Sequence, residues 1–141
     1  MNHLMQNHML IPNRQNITKI LSIGIMLMGF VHIVATFTPL IADKLVLLPD
    51  SAQDAFTYFS LMCGALLILD GGVTYTLSSK IAEYPFVQKT YMLALAIMNV
   101  DGILAVCYMR HNPCAWIIFT LTMGLMFASV TSVRDPDLKK H

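Results

Sequence analysis

Four long apolar runs constrain this sequence more than any other feature. An α-helix rises ~1.5 Å per residue, so about 20 apolar residues are needed to cross the ~30 Å hydrocarbon core of a bilayer. Four segments reach that length, at about residues 20–42, 55–77, 91–109 and 114–133. They lack the alternation of apolar and polar residues that marks the strands of a membrane barrel. The sequence therefore predicts an all-α, integral membrane four-helix bundle, with residues 1–141 forming a single domain.

The composition supports a membrane protein and argues against a soluble one. Hydrophobic residues make up 56% of the chain and charged residues 12%, whereas a soluble domain carries about 25% charged residues. The net charge of +1 offers no basic face for nucleic acid. We expect the lipid bilayer to surround the helices, and we expect no nucleic-acid partner.

The connections and their charges predict how the helices cross the membrane. Short links make successive helices antiparallel neighbours, which gives an up-down-up-down order. Lys and Arg collect on the cytoplasmic side of membrane proteins. The side with both termini holds seven of them, namely Arg14, Lys19, Lys80, Lys89, Arg134, Lys139 and Lys140, and the other side holds Lys44 and Arg110. Both termini are therefore predicted to be cytoplasmic, in a multi-pass protein of a bacterial-type plasma membrane.

Ionisable side chains inside the apolar runs are the candidate functional residues, because such groups are rare and costly in a membrane. The candidates are His32, Asp70 and Asp101, with the amide of Asn99 close to the last. By position along the helices, His32 and Asp101 should lie at similar depth and form a pair. Asp70 should lie ~10 Å nearer the cytoplasm by helical rise, where it would meet Asn99, Ser22 or water.

Two interpretations of these polar residues stay open. A carboxylate beside an imidazole can exchange a proton with it, so the four residues can form a site that binds or moves a small solute or a proton. Alternatively, they form hydrogen bonds between helices that fix the packing, typically worth ~0.6–2 kcal/mol each.

Small residues recur at helical spacing, which lets backbones approach closely. The stripes are Ser22, Gly29, His32 and Thr36; Ser60, Gly64, Gly71 and Ser78; and Thr120, Gly124 and Ala128. We expect packing within the bundle, with a homo-oligomer interface on the last stripe as the alternative. The Gly71–Gly72 doublet is a second candidate feature, since adjacent glycines can loosen a helix.

The cysteines predict no redox enzyme. Cys107 and Cys114 flank one turn and could approach closely enough for a disulfide. Their spacing does not match the Cys-x-x-Cys pair that membrane thiol-oxidising enzymes need. No metal site and no particular cofactor follows from the sequence, and the chain carries no catalytic signature.

The Gly29-Phe30-Val31-His32 element in the first run, together with the helix count, resembles the DoxX-like group of small four-helix membrane proteins. The resemblance implies a four-helix bundle and, for some members of that group, association with quinone-linked sulfur oxidation. It covers part of the first helix.

Three functions therefore remain as hypotheses. A protein that binds or moves a solute or proton predicts a water-accessible cavity that reaches the acidic residues. An accessory subunit of a larger membrane complex predicts a dry bundle with an exposed small-residue face. A quinone-reactive oxidoreductase subunit predicts an apolar slot that opens to lipid beside His32.

Overall fold

The computed structural model describes residues 14–81 and 84–133, and these form helices and turns without a strand. The helices are α1 (Arg14–Thr36), α2 (Pro39–Leu45), α3 (Asp50–Ser78), α4 (Pro85–Tyr108) and α5 (Pro113–Val133). All but the short α2 are long and apolar enough to cross a membrane. The predicted all-α class with four apolar helices is confirmed. Arg134, Lys139 and Lys140, which contribute to the predicted orientation, lie outside the described residues.

The first predicted span, 20–42, differs from the structure because it is not one continuous helix. α1 ends at Thr36, and α2 begins at Pro39 after a two-residue turn. Proline lacks a backbone N–H and disfavours helical geometry in the residue before it. Thr38 is accordingly extended, with φ −78° and ψ 152°. The apolar run continued through this break, so hydropathy alone placed the end of the helix too late.

Glycines bring α1 and α3 into backbone contact. A Cβ atom added at Gly29 would lie 2.6 Å from the carbonyl oxygen of Gly64, and one added at Gly64 would lie 2.9 Å from the carbonyl oxygen of Gly29. Two turns further along α3, a Cβ at Gly71 would lie 2.8 Å from the carbonyl oxygen of Ser22. These two small-residue stripes therefore pack against each other within one chain.

The third stripe also packs within the chain. Gly124 of α5 faces Leu21 of α1, whose Cδ1 would lie 3.6 Å from an added Cβ. Leu121 of α5 reaches Gly24 of α1 in the same way. The face around Gly124, which the sequence offered as an oligomer interface, is thus covered by α1.

The four long helices pack in the order α3, α1, α5, α4, and the contact between α3 and α4 is the sparsest of the four. The buried core lies along the middle of this arrangement and consists of Ile25, Leu67, Tyr91, Leu95, Met98, Ile118 and Leu125. The outward faces are apolar as well: Leu93 is 62% exposed and Phe127 is 75% exposed. Surfaces of this kind are stable against lipid and costly in water.

The Gly71–Gly72 doublet does not interrupt α3, which is continuous from Asp50 to Ser78. The two glycines differ sharply in their surroundings. A Cβ at Gly71 would meet Met26 Cγ at 2.6 Å, whereas a Cβ at Gly72 would meet only Met26 Sδ, at 4.0 Å. The absence of a side chain at Gly71 therefore permits the close packing of α1 and α3, whereas position 72 has room for a Cβ atom.

We predict that Gly71→Ala destabilises the protein by about 1–3 kcal/mol, because the added methyl group forces α1 and α3 apart. Gly72→Ala is the matched control and should be neutral or slightly stabilising, since it adds helix propensity without a clash. Thermal unfolding in detergent measures both. Equal effects of the two substitutions would contradict the close contact.

Candidate functional site

A cavity of about 270 Å³ lies at the end of the bundle where α4 turns into α5. Each of the four long helices contributes to its wall. The lining residues are His32, Cys63, Asp101, Leu104, Ala105, Tyr108, Met109, Asn112, Cys114, Ala115 and Ile118. The structure thus brings His32 and Asp101, two residues singled out from the sequence, to the wall of one pocket.

His32 and Asp101 interact electrostatically across this pocket, but they do not bond directly. The hydrogen bond of the His32 ring within the described residues is with Ser60 of α3, at 3.2 Å from Nε2 to Oγ. The Asp101 side chain is exposed toward the pocket. The space between the two groups is therefore available to a ligand or to water.

The hydroxyls of Ser60 and Thr36 connect the His32 ring to the backbone of its own helix. Thr36 Oγ1 lies 3.0 Å from the His32 carbonyl oxygen and 2.6 Å from Ser60 Oγ. When Thr36 donates to the carbonyl oxygen, its one hydrogen is used and Ser60 donates to Thr36. In that arrangement His32 Nε2 donates to the Ser60 oxygen.

In this arrangement Nδ1 of His32 takes no part in the chain of hydrogen bonds. When Nε2 carries the proton of a neutral imidazole, Nδ1 holds a lone pair and can accept a proton or a hydrogen bond. His32 and Asp101 then both act as acceptors, so they can share one proton or bind one donor between them.

Asp70 is not among the residues that line the pocket; it lies about two turns after Cys63 on α3. Seven residues separate it from Cys63, which corresponds to ~10 Å along the helix axis. It interacts electrostatically with Asp101, so the two carboxylates share one region. Asp70 does not form the expected hydrogen bond with Ser22 or Asn99. The Ser22 hydroxyl bonds to Thr18 and Thr74, and the Asn99 amide bonds to the Leu95 carbonyl oxygen.

Asn99 does not join the pocket. Two residues before Asp101, it lies roughly 200° around α4 from it, and it is 7% exposed. Its Nδ2 donates to the Leu95 carbonyl oxygen at 2.8 Å, which ties the amide to its own helix. Its Oδ1 is buried without a hydrogen-bond partner in the described part of the chain. The predicted cluster of four is thus divided between two sides of α4.

The sequence analysis missed several residues of the pocket. Cys63 faces it from α3, and Tyr108 and Asn112 line its mouth. The signal for Cys63 was its position three residues after Ser60, on the side of α3 that also carries Asp70. Tyr108 is the last residue of α4 and Asn112 lies in the turn that follows, where helical periodicity gives little information.

Hydrogen bonds hold the turn at the mouth of the pocket in place. Trp116 Nε1 donates to the Arg110 carbonyl oxygen at 2.9 Å. The Cys114 backbone N–H donates to Asn112 Oδ1 at 3.0 Å. Cys107 and Cys114 are both free thiols, so the disulfide considered from their spacing is not present.

The opposite end of the bundle is closed. Tyr91 and Ser129, both buried, share a hydrogen bond of 2.7 Å between α4 and α5. Thr74 donates to Ser22 at 3.1 Å between α3 and α1. Together with the core side chains, these contacts fill the space between the helices at this level of the bundle.

Comparisons with known proteins assign no family to this chain. No family model, curated protein or solved structure matches the chain. The DoxX-like resemblance therefore stays a prediction. No group of three or more His, Cys, Asp or Glu side chains in the described ranges could hold a metal ion.

We predict that neutral His32 carries its proton on Nε2 and that Ser60→Ala allows the Nδ1-protonated form to appear. Nitrogen-15 NMR of histidine-labelled protein distinguishes the two forms, and His32→Gln assigns the signal. Ser78→Ala is the control, because its hydroxyl bonds only within its own helix, to the Tyr75 carbonyl oxygen. An unchanged His32 spectrum in Ser60→Ala would contradict the assignment.

Proposed function

We propose that this protein is a small multi-pass membrane protein that binds a small solute, or takes up a proton, at the pocket of His32 and Asp101. The observation that carries the proposal is the cavity itself, which is lined by a histidine and a carboxylate that belong to two of the apolar helices. Ionisable groups in such positions are expensive. A site that uses their charge and hydrogen-bonding capacity accounts for both of them.

The pocket favours this function over an accessory structural role. A purely structural bundle would use its polar groups for hydrogen bonds between helices, as Tyr91 and Ser129 do. The Asp101 carboxylate takes part in no such bond among the described residues. The small-residue faces, which a partner subunit would need, are occupied by contacts between α1, α3 and α5.

The quinone-reactive alternative has weaker support. The structure has a second, larger groove of about 550 Å³ between α1 and α3, open along the side of the bundle. Its lining, from Met26 and Ile68 to Leu77, includes neither His32 nor an acidic residue. Its one hydroxyl, that of Thr76, donates to the Gly72 carbonyl oxygen, so a quinone in that groove would lack an acidic proton donor.

Asp70 supports a role in moving a proton as well as binding one. It lies further from the mouth than Asp101 does and interacts with it electrostatically. A proton shared by His32 and Asp101 has Asp70 as its next acceptor toward the closed end. Because that end is sealed by packed side chains, binding is the primary function proposed, and proton movement would require those contacts to open.

We further propose that the helices cross the membrane up-down-up-down with both termini in the cytoplasm, so that the pocket opens outward. Residues of α1 meet those of α3 and α5 in opposite order along the chain, as in Gly29 with Gly64 and Gly24 with Leu121. Such antiparallel contacts support the alternation. The excess of Lys and Arg on the side of the termini supports the orientation.

Reporter fusions test the orientation. A reporter placed after His141 should report the cytoplasm, and one inserted near Asp50 should report the outside, because the charge asymmetry retains the termini. Alkaline phosphatase and green fluorescent protein fusions give opposite signals at each site. Reversal at either position would contradict the proposed outward opening.

Filling the pocket tests the binding function. Ala105 lines the cavity and Ala96 is exposed on the outer face of the same helix. In a variant with Cys63 as its single cysteine, we expect Ala105→Trp to slow alkylation of Cys63 by a water-soluble reagent at least tenfold. Ala96→Trp should leave the rate unchanged. If Cys63 does not react in the parent variant, water does not reach the pocket and the proposal fails.

A further inference from the structure

We propose that the ligand of this pocket is a small primary ammonium ion with an apolar body, held between the Asp101 carboxylate and Nδ1 of His32. This inference rests on the proposed function and specifies the chemical class of its solute. Three features of the pocket carry it: an uncompensated carboxylate, a set of hydrogen-bond acceptors, and apolar walls.

The first feature is charge. Asp101 is the one acidic residue in the wall, and the wall contains neither lysine nor arginine. Asp70 adds a second carboxylate within electrostatic range. A carboxylate away from bulk water is costly unless a cation accompanies it. Among the residues that line the pocket His32 is the one basic group, so a cationic ligand would offset the charge of Asp101.

The second feature is the direction of the hydrogen bonds. In the predicted arrangement Nε2 of His32 donates to Ser60, and Nδ1 is then an acceptor. The Asp101 carboxylate contributes further acceptors. An ammonium group carries three N–H donors and no acceptor, so it matches this set. An anion, or a solute rich in carbonyl groups, would face lone pairs on both sides.

The third feature is the wall of the cavity. Leu104, Met109 and Ile118 supply apolar surface, and Ala105 and Ala115 leave room for a ligand. The Tyr108 ring at the mouth provides an aromatic face of the kind that attracts cations. The volume of about 270 Å³ lies just below the ~300–1,000 Å³ of drug-sized sites, so the ligand must be small.

The test uses Cys63 as a reporter inside the pocket. Cys107→Ala and Cys114→Ala leave Cys63 as the single thiol of the full chain, which is placed in lipid nanodiscs. The rate of its reaction with the uncharged reagent methyl methanethiosulfonate is measured with and without benzylammonium chloride. Benzyl alcohol, nearly identical in shape but uncharged, is the matched ligand. We expect benzylammonium to slow the reaction at least fivefold and benzyl alcohol to have little effect.

Two control variants connect the effect to Asp101. Asp101→Asn should reduce the affinity for benzylammonium at least tenfold, because it removes the charge that the ligand neutralises. Asp43→Asn changes an exposed carboxylate on α2 and should have no effect. A second reporter with Cys107 as its single thiol, which lies outside the pocket wall, reveals any general effect of the ligands on the bilayer.

The outcomes separate this inference from the proposed function. Equal protection by benzylammonium and benzyl alcohol would overturn the ammonium class and leave a pocket that binds neutral solutes. Reaction of Cys63 without protection by benzylammonium would also overturn the inference while the pocket remains accessible. A Cys63 that fails to react would overturn both. The comparison of the two ligands needs no change at Asp101, so it stands even if Asp101→Asn fails to fold.

Discussion

The backbone contact between α1 and α3 is the constraint on which the candidate site depends. Gly29 and Gly64 let the two helices approach until the carbonyl oxygen of one leaves no room for a Cβ atom on the other. At that separation the Ser60 hydroxyl of α3 reaches both His32 and Thr36 of α1. A larger residue at either glycine would separate the helices and break this chain of hydrogen bonds.

The pocket arises from a difference between the two ends of the bundle. Towards the closed end, Tyr91, Leu95 and Leu125 are fully buried and fill the space between the helices. Near the α4–α5 turn, alanine occupies positions 105 and 115, and the contact between α3 and α4 is sparse. The two alanines and the sparse contact between α3 and α4 leave the space that forms the pocket.

The polar groups in the apolar helices follow two different physical solutions. Thr74, Ser22, Tyr91 and Ser129 satisfy one another by hydrogen bonds within the chain, which removes most of the cost of burial. Asp101 instead faces a cavity, where water or a ligand can satisfy it. Asn99 is only half satisfied: its NH₂ group donates to a carbonyl oxygen of its own helix, and its Oδ1 has no hydrogen-bond partner among the described residues. Hydroxyl pairs thus stabilise the packing, and the carboxylate remains available for binding.

The sequence alone determined the all-α class and the four apolar helices, because hydropathy acts along the chain. Pro39 was a sequence signal for the end of α1, and the ~200° between Asn99 and Asp101 follows from helical spacing, although hydropathy alone shows neither. The sequence could not predict Ser60 as the partner of His32 or show that Cys63 faces the pocket. These depend on which faces of the helices meet. Close glycine contacts between helices that are far apart in the chain determine which faces meet.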